Sequence, residues 1–431
     1  LYWMQASQRA EGNHALEYAI RRANELQRPL IVGFGLTSAF PEGNCRHYTF
    51  MLEGLQLMAK GLQKRGIPLV VRIGSPPKVA LELAQRASLV VTDRGYLRIE
   101  RAWRDEFAQY VPCHAVQIES NVVVPIALAS SKQEIGARTL RPKIKRVLFD
   151  HLIPIKKEGL KHRSIHLQID SEPMARVEML LAKLGLDASV KPSSSIHGGT
   201  DRARILLRKF IKTKLRLYAE SRSDPSLGIV SNMSPYLHFG QISPIEIALT
   251  IIDADGVPSS AKDAYLEELI VRRELAINYC FFNSQYDQYE GLPAWAQRTL
   301  SEHAADPRPY RYRPEQLEQA QTHDPYWNAS QREMLITGTM HNYMRMYWGK
   351  KILEWTKRPQ DAFALALYLN NKYQLDGRDP NSFAGVGWCF GTHDRAWPER
   401  PIFGKIRYMN DAGLKRKFNI DDYVRQISHL E

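Results

Sequence analysis

The stretch DPYWNASQREMLITGTMHNYMRMYWGKKILEW, Asp324–Trp355, sets the reading of the whole chain. Its second half lacks proline, and Met340, Met344, Tyr347 and Trp348 follow one another at helical spacing. The pattern predicts a helix over Gln331–Thr356. On that helix Trp348 and Trp355 lie on one stripe two turns apart, and His341, Arg345 and Trp348 share a face. Trp327 stands just upstream, where Asp324-Pro325 predicts a turn and Asn328 or Ser330 is expected to cap the helix. Three tryptophans beside one amphipathic helix are ordinarily core. A histidine, an asparagine and an arginine on the same face argue for more, because buried polar groups need partners. The face is expected to meet something polar and large.

The 431 residues are 44% apolar and 24% charged, ample for one or two domains with cores of their own. No apolar run reaches the roughly 18 residues of a membrane-spanning helix. No secretory signal opens the sequence, so the expected location is cytoplasmic and nucleoid-associated in a prokaryote or nuclear in a eukaryote; the start at Leu1 suggests that residues precede it. The four cysteines, Cys45, Cys113, Cys280 and Cys389, form no CxxC pair, which supports neither a zinc site nor a disulfide framework. With thirteen histidines, neighbours such as His393-Asp394 arise by chance, and no metal site is read. The formal charge of +13 favours a polyanionic partner held by phosphate contacts.

Residues 1–125 alternate short apolar runs with helical patterns. Strands are predicted at Leu30–Gly35, Pro68–Ile73, Leu89–Thr92 and His114–Ile118, with helices at Glu11–Gln27, Tyr48–Arg65, Pro77–Ala87 and Leu97–Gln109. That alternation predicts an α/β domain with a doubly wound parallel sheet. Gly33-Phe34-Gly35 is too incomplete for a dinucleotide fingerprint and reads as a strand end. Residues 126–200 loosen into a connector with basic clusters at Arg138–Arg146 and Lys156-Lys157, which read as solvated faces and weak nucleic-acid candidates. From 201 to 431 helical periodicity dominates, at Asp201–Ser221, Ser243–Ala254, Ser259–Phe282, Gln331–Thr356 and Gln360–Leu369, predicting an all-α C-terminal domain.

Four local patterns in that half could carry chemistry. Ser231, Asn232 and Ser234 crowd small polar groups into one turn before Pro235, which suits an anion at a helix N-terminus. Glu268 and Arg272, at i and i+4 of a predicted helix, would ordinarily form a solvent-facing ion pair. Asn370, Asp376, Gly377, Arg378 and Asn381 lie in a turn-rich segment. Trp388 and Trp397, with Arg395 and Arg400, could form a stacking platform beside phosphate contacts or pin a loop to the core.

The segments HDPYWNASQ, GTMHNYMRMYWGKKILEW, YLNNKYQLDGRDPN and HDRAWPERPIFGKIRYMN closely resemble class II cyclobutane pyrimidine dimer photolyases, over most of residues 200–431. The resemblance implies an FAD-binding helical domain, an FAD that works fully reduced and anionic, and an antenna chromophore of unassigned identity in the N-terminal domain. It places Tyr218, Ser231, Asn232, Met233, Ser234, Arg273, His341, Asn342, Arg345, Met346, Asp376, Gly377 and Asn381 around FAD. Asp376 would pair with Arg345, and Asn370 would act near flavin N5. Glu268 would hydrogen-bond the dimer, with Arg222 and Trp388 against it and Arg395 and Trp397 on the lesion or strand. Trp348, Trp327 and Trp355 would form an electron relay, with Trp355 at the surface. The chain departs from the family at Ser223, where asparagine is usual.

The implied activity is light-driven repair of cyclobutane dimers flipped out of double-stranded DNA, by a monomer without metal or membrane. The alternative is a blue-light receptor of cryptochrome type. Glu268, Arg222 and Trp388, the lesion pocket, favour the enzyme.

Overall fold

The computed structural model describes residues 1–430, which fall into two compact units. The first comprises Leu1–Ala129, Lys145–Lys209 and Asn232–Asp255; the second comprises Ser130–Ile144, Phe210–Ser231 and 256–430. No helix among the described residues is long and apolar enough to cross a membrane.

In the first unit, strands β1 (Tyr2–Trp3), β2 (Val32–Leu36), β3 (Leu69–Ile73), β4 (Leu89–Asp93) and β5 (His114–Ile118) form a parallel sheet in the order β3-β2-β1-β4-β5. Helices α1 (His14–Glu25), α2 (Cys45–Lys64), α3 (Pro76–Ala84) and α4 (Arg98–Tyr110) make the connections. The doubly wound sheet expected from the sequence is therefore present, with one added member. β1 is only two residues long, too short for any periodicity, yet it is the central strand, pairing Tyr2 with both Val32 and Val91.

Both glycines of Gly33-Phe34-Gly35 lie inside β2. A Cβ on Gly35 would stand 2.5 Å from Pro76 Cα, and one on Gly33 would stand 2.7 Å from Leu83 Cδ1. Their smallness lets α3 pack close on the sheet; they form no phosphate loop.

Ligands of such sheets bind where the strand order reverses, here beyond the ends of β1 and β4. That spot is filled from within. The fully buried Asp93 Oδ2 accepts from the main-chain N–H groups of Gln5, Ala6 and Ser7 at 3.0, 2.9 and 2.8 Å, while Arg104 Nη2 donates to its Oδ1 at 2.6 Å. Three amides that could cradle a phosphate thus hold the protein's own carboxylate.

The second unit is helical. Helix α5 (Ser259–Leu266) runs into a six-residue π-helical turn, Glu267–Arg272, and on into α6 (Arg273–Phe282). Further on come α7 (Pro325–Thr337), α8 (Asn342–Trp355), α9 (Pro359–Tyr373) and α10 (Pro380–Cys389). The single helix expected over Gln331–Thr356 is in fact two. Gly338 takes a left-handed conformation (φ 79°) that ends α7, and the His341 side chain accepts from Tyr343 N to start α8. Nor do Asn328 or Ser330 cap α7. Asp324 does, accepting from the N–H groups of Tyr326 and Trp327, with Pro325 entering the first turn.

Candidate active site in the helical unit

The elbow at Gly338 folds α8 back against α7 and brings the three tryptophans together. The rings of Trp327 and Trp348 are parallel to within 5° with centroids 6.5 Å apart, and Trp327 meets Trp355 edge-on at 5.5 Å. Hydrogen bonds fix the indoles: Trp327 Nε1 donates to Trp348 O at 3.0 Å, and Trp348 Nε1 donates to Gln331 Oε1 at 2.8 Å. Trp355 is not at the surface, as the resemblance implied, but 1% exposed. Its neighbours Tyr312 (5.2 Å) and His323 (5.5 Å) continue the aromatic run outward, and Tyr310, half exposed, stacks on His323 at 3.6 Å.

The polar half of the same elbow is built from α8 and the end of α9. Arg345 Nη2 donates to both carboxylate oxygens of Asp376 at 2.9 and 3.0 Å, and its Nε donates to Met340 O at 3.2 Å. This is the pairing the family resemblance implied. Asn370, read as a turn residue, occupies the last helical turn of α9 together with its neighbour Asn371. Asn370 Nδ2 donates to Asn371 Oδ1 (3.1 Å), which also accepts from Arg378 N (3.0 Å). Gly377 lies against the carbonyls of Asn370, Asn371 and Gln374, where a Cβ would be under 3 Å from all three. Asp379 caps α10 and binds the side chain of Asn381.

His341 Nε2 is buried and has no hydrogen-bond partner among the described residues. Burial is the largest influence on this imidazole and lowers its pKa to about 4, against an opposing pull from the Arg222 main chain. The ring is therefore neutral, with Nδ1 accepting from Tyr343 N at the start of α8. Met346 is half-buried, Arg273 buried and Asn342 exposed.

The π-turn presents two adjacent carboxylates. Glu268 Oε1 is 2.7 Å from Arg222 Nη1, and the Arg222 guanidinium lies 5.7 Å from the Tyr218 ring. The Glu268–Arg272 pair that helical spacing alone would give does not form. Arg272 Nε instead lies 3.3 Å from Glu267 Oε1, five residues back. A π-turn holds one residue more per turn than an α-helix, so i,i+5 replaces i,i+4. Burial raises the Tyr218 phenol to about 12, with the Glu268 charge adding to it. Tyr218 packs on Tyr265, whose hydroxyl donates to Ser231 Oγ at 3.0 Å. Ser223 is exposed. Asn232, Met233 and Ser234 belong to the first unit, where Asn232 adopts φ 56° before a five-residue helix, Ser234–His238.

Trp388 sits in α10 and not on an open Gly-rich segment. The Lys350 ammonium is 4.9 Å and the Arg407 guanidinium 5.3 Å from its ring centroid; Arg407 also lies 4.3 Å from the Trp397 ring, and Arg395 4.9 Å from it. Arg400 points elsewhere, to Tyr408. Lys350 and Arg407 were not identified from the sequence, because their partners are far along the chain. Lys350 is fully buried, donates to Cys389 O at 2.7 Å, and is lowered by burial to about 8. No cluster of three His, Cys, Asp or Glu side chains suited to a metal occurs among the described residues.

A parallel-sheet unit accompanied by a helical unit of this build defines the photolyase fold class. The structure superposes on a bacterial class III photolyase from Agrobacterium tumefaciens with a TM-score of 0.77 over 99% of this chain and 85% of that one, at 20% identity. Residues 1–161 match the family model of DNA photolyase. The deoxyribodipyrimidine photo-lyase of Methanothermobacter thermautotrophicus is 54% identical over 430 residues, covering 100% of this chain and 94% of the relative. That of Potorous tridactylus is 41% identical, covering 99% and 81%. The chain belongs to the DNA photolyase family.

Proposed function

We propose that this chain is a carbon–carbon lyase that uses light to split cyclobutane pyrimidine dimers in double-stranded DNA, with FAD in its helical unit; the resemblance over residues 200–431 narrows this to the class II enzymes. The observation that carries the reading is the Arg222–Glu268 pair. Its side chains are 36% and 32% exposed, so two charged groups are held together where a substrate can reach them. A structural pair at such exposure stabilises a fold by only about 0–1 kcal/mol, which makes a role toward a ligand the better account.

The residues present fit FAD. The unpartnered His341 Nε2 offers a polar contact, Arg345 offers a cation fixed by Asp376, and Gly377 keeps side-chain bulk out of the turn beside them. Asn370, Asn342, Met346, Arg273, Tyr218 and Asn381 are proposed to complete the flavin site, with Ser231 toward the phosphates. Bound FAD supplies the light-excited electron that opens the two inter-pyrimidine bonds.

The chain's own residues do the rest. Arg345 places positive charge where negative charge must be kept. Trp355, Trp327 and Trp348 are proposed to relay electrons inward from a reductant in solution, such as a thiol, which is oxidised as the cofactor regains its reduced form. Glu268 hydrogen-bonds the dimer and steadies the charge it gains, an effect that grows as water is excluded. Trp388 stacks on the flipped lesion, while Arg395 and Trp397 contact the lesion or its strand. The protein is proposed to act as a monomer, with an antenna chromophore in the first unit.

The test is the absorption spectrum of the purified protein, followed by illumination with dimer-containing DNA. A flavin band and light-dependent repair are expected; a colourless protein overturns the proposal. Glu268→Ala should slow repair far more than it weakens DNA binding, and a loss of affinity alone would contradict the role given to Glu268.

A further inference from the structure

The π-turn Glu267–Arg272 interrupts a helix that is otherwise regular from Ser259 to Phe282. Such a turn has poorer main-chain hydrogen bonding than the α-helix it replaces, so something outside it must hold it in place. The sequence offers no proline or glycine within EELIVR to force it. The structure does supply an external tie. Arg141, from the helix Ala137–His151, grips Glu267 with two hydrogen bonds, Nε to Oε2 at 3.0 Å and Nη2 to Oε1 at 2.7 Å. Arg272 closes on the same carboxylate from within the turn at 3.3 Å.

The consequence falls on the next residue. In an uninterrupted α-helix Glu268 and Arg272 would be neighbours at i,i+4 and would pair. The extra residue gives Arg272 to Glu267 and leaves Glu268 to Arg222 at 2.7 Å. Two adjacent carboxylates are thereby sorted, one to each arginine from outside the turn.

We infer that Arg141 and Glu267 are positioning residues: their bidentate ion pair locks the π-turn so that Glu268 is turned away from Arg272 and toward Arg222 and the substrate. The inference rests on the reading of Glu268 given above. It also assigns a task to one member of the basic cluster Arg138–Arg146, which the sequence alone left as a solvated face. The Arg141 and Glu267 side chains are 34% and 25% exposed, so the pair contributes little to global stability and its loss should be felt in geometry.

The experiment compares Arg141→Gln, Glu267→Gln, Arg141→Lys and Glu268→Gln in the flavin-loaded, chemically reduced protein, measuring single-turnover repair at saturating dimer-containing duplex and, separately, DNA affinity. Arg141→Gln and Glu267→Gln should each lower the repair rate at saturation about tenfold, while the Kd moves less than about twofold. Arg141→Lys should recover part of the rate, since it keeps the charge and loses the fork. Wild-type rates at saturation for both Gln variants, with Glu268→Gln slow, would overturn this inference alone. Weakened affinity with an unchanged saturated rate would also overturn it, assigning Arg141 to the DNA backbone. A normal rate for Glu268→Gln would overturn both the inference and the role of Glu268 beneath it.

Discussion

Trp327 and Trp348 lie parallel within 5°, 6.5 Å apart, and the indole N–H of the first is bonded to the main-chain oxygen of the second. Stacking and the hydrogen bond fix both rings, and the buried contact to Trp355 extends the run. Trp348→Phe should abolish light-driven reduction of oxidised FAD, yet leave repair near wild type once the cofactor is reduced chemically. Transient absorption with a dithionite control reads both arms; loss of both would count against a relay.

The bidentate grip of Arg345 on Asp376 leads to a redox prediction. Arg345→Leu removes the fixed cation proposed to stand beside FAD, so the reduced, negatively charged form is disfavoured. The midpoint potential should fall by about 30 mV or more, a tenfold change for a two-electron couple. Spectroelectrochemistry of the loaded protein measures it, and an unchanged potential would remove Arg345 from the flavin.

His341 gives the fold a pH dependence of known sign. Its folded pKa is depressed to about 4 by burial, against about 6.5 in the unfolded chain. Between those values the unfolded state binds a proton that the folded state refuses, so stability is full above about pH 6.5 and is lost as pH falls toward 4. The difference corresponds to about 3 kcal/mol. His341→Asn keeps a side chain able to cap α8 and should remove that part of the acid sensitivity in urea titrations at pH 7 and pH 4. Equal slopes in the two proteins would contradict the assignment.

DNA affinity should fall steeply with salt. With about five phosphates neutralised, log K should drop with log salt at a slope of about −4.5. Fluorescence anisotropy between low and physiological salt reads the slope, and a flat response would remove the meaning given to the +13 charge.

What could be read in the sequence, and what could not, divides along the range of the interaction. Strand–helix alternation is local, and it located β2 to β5 and the helices between them; β1 escaped because two residues carry no period. The Arg345–Asp376 pair was accessible only through the family resemblance, since 31 residues separate the partners. Helical arithmetic failed where the backbone departs from 3.6 residues per turn or stops: at Gly338, which divides the expected helix, and at the π-turn, which gives Arg272 to Glu267 instead of Glu268. A stripe shows which side chains share a face, but not whether that face is wet. Trp355, placed at the surface by the family resemblance and on the stripe by helical arithmetic, lies in the core. Lys350 and Arg407 left no local trace, because what singles them out is the aromatic rings they meet after the chain has folded.

The elbow at Gly338 also works as an angular index. Each residue of an α-helix advances the side chains by about 100°, and the face-to-face tryptophans come from opposite arms of the bend. Adding or removing one residue of α8 between Asn342 and Trp348 would leave both arms helical and both indoles on their own helices. It would nevertheless swing one ring out of line with the other, breaking the proposed relay without replacing any of the three tryptophans.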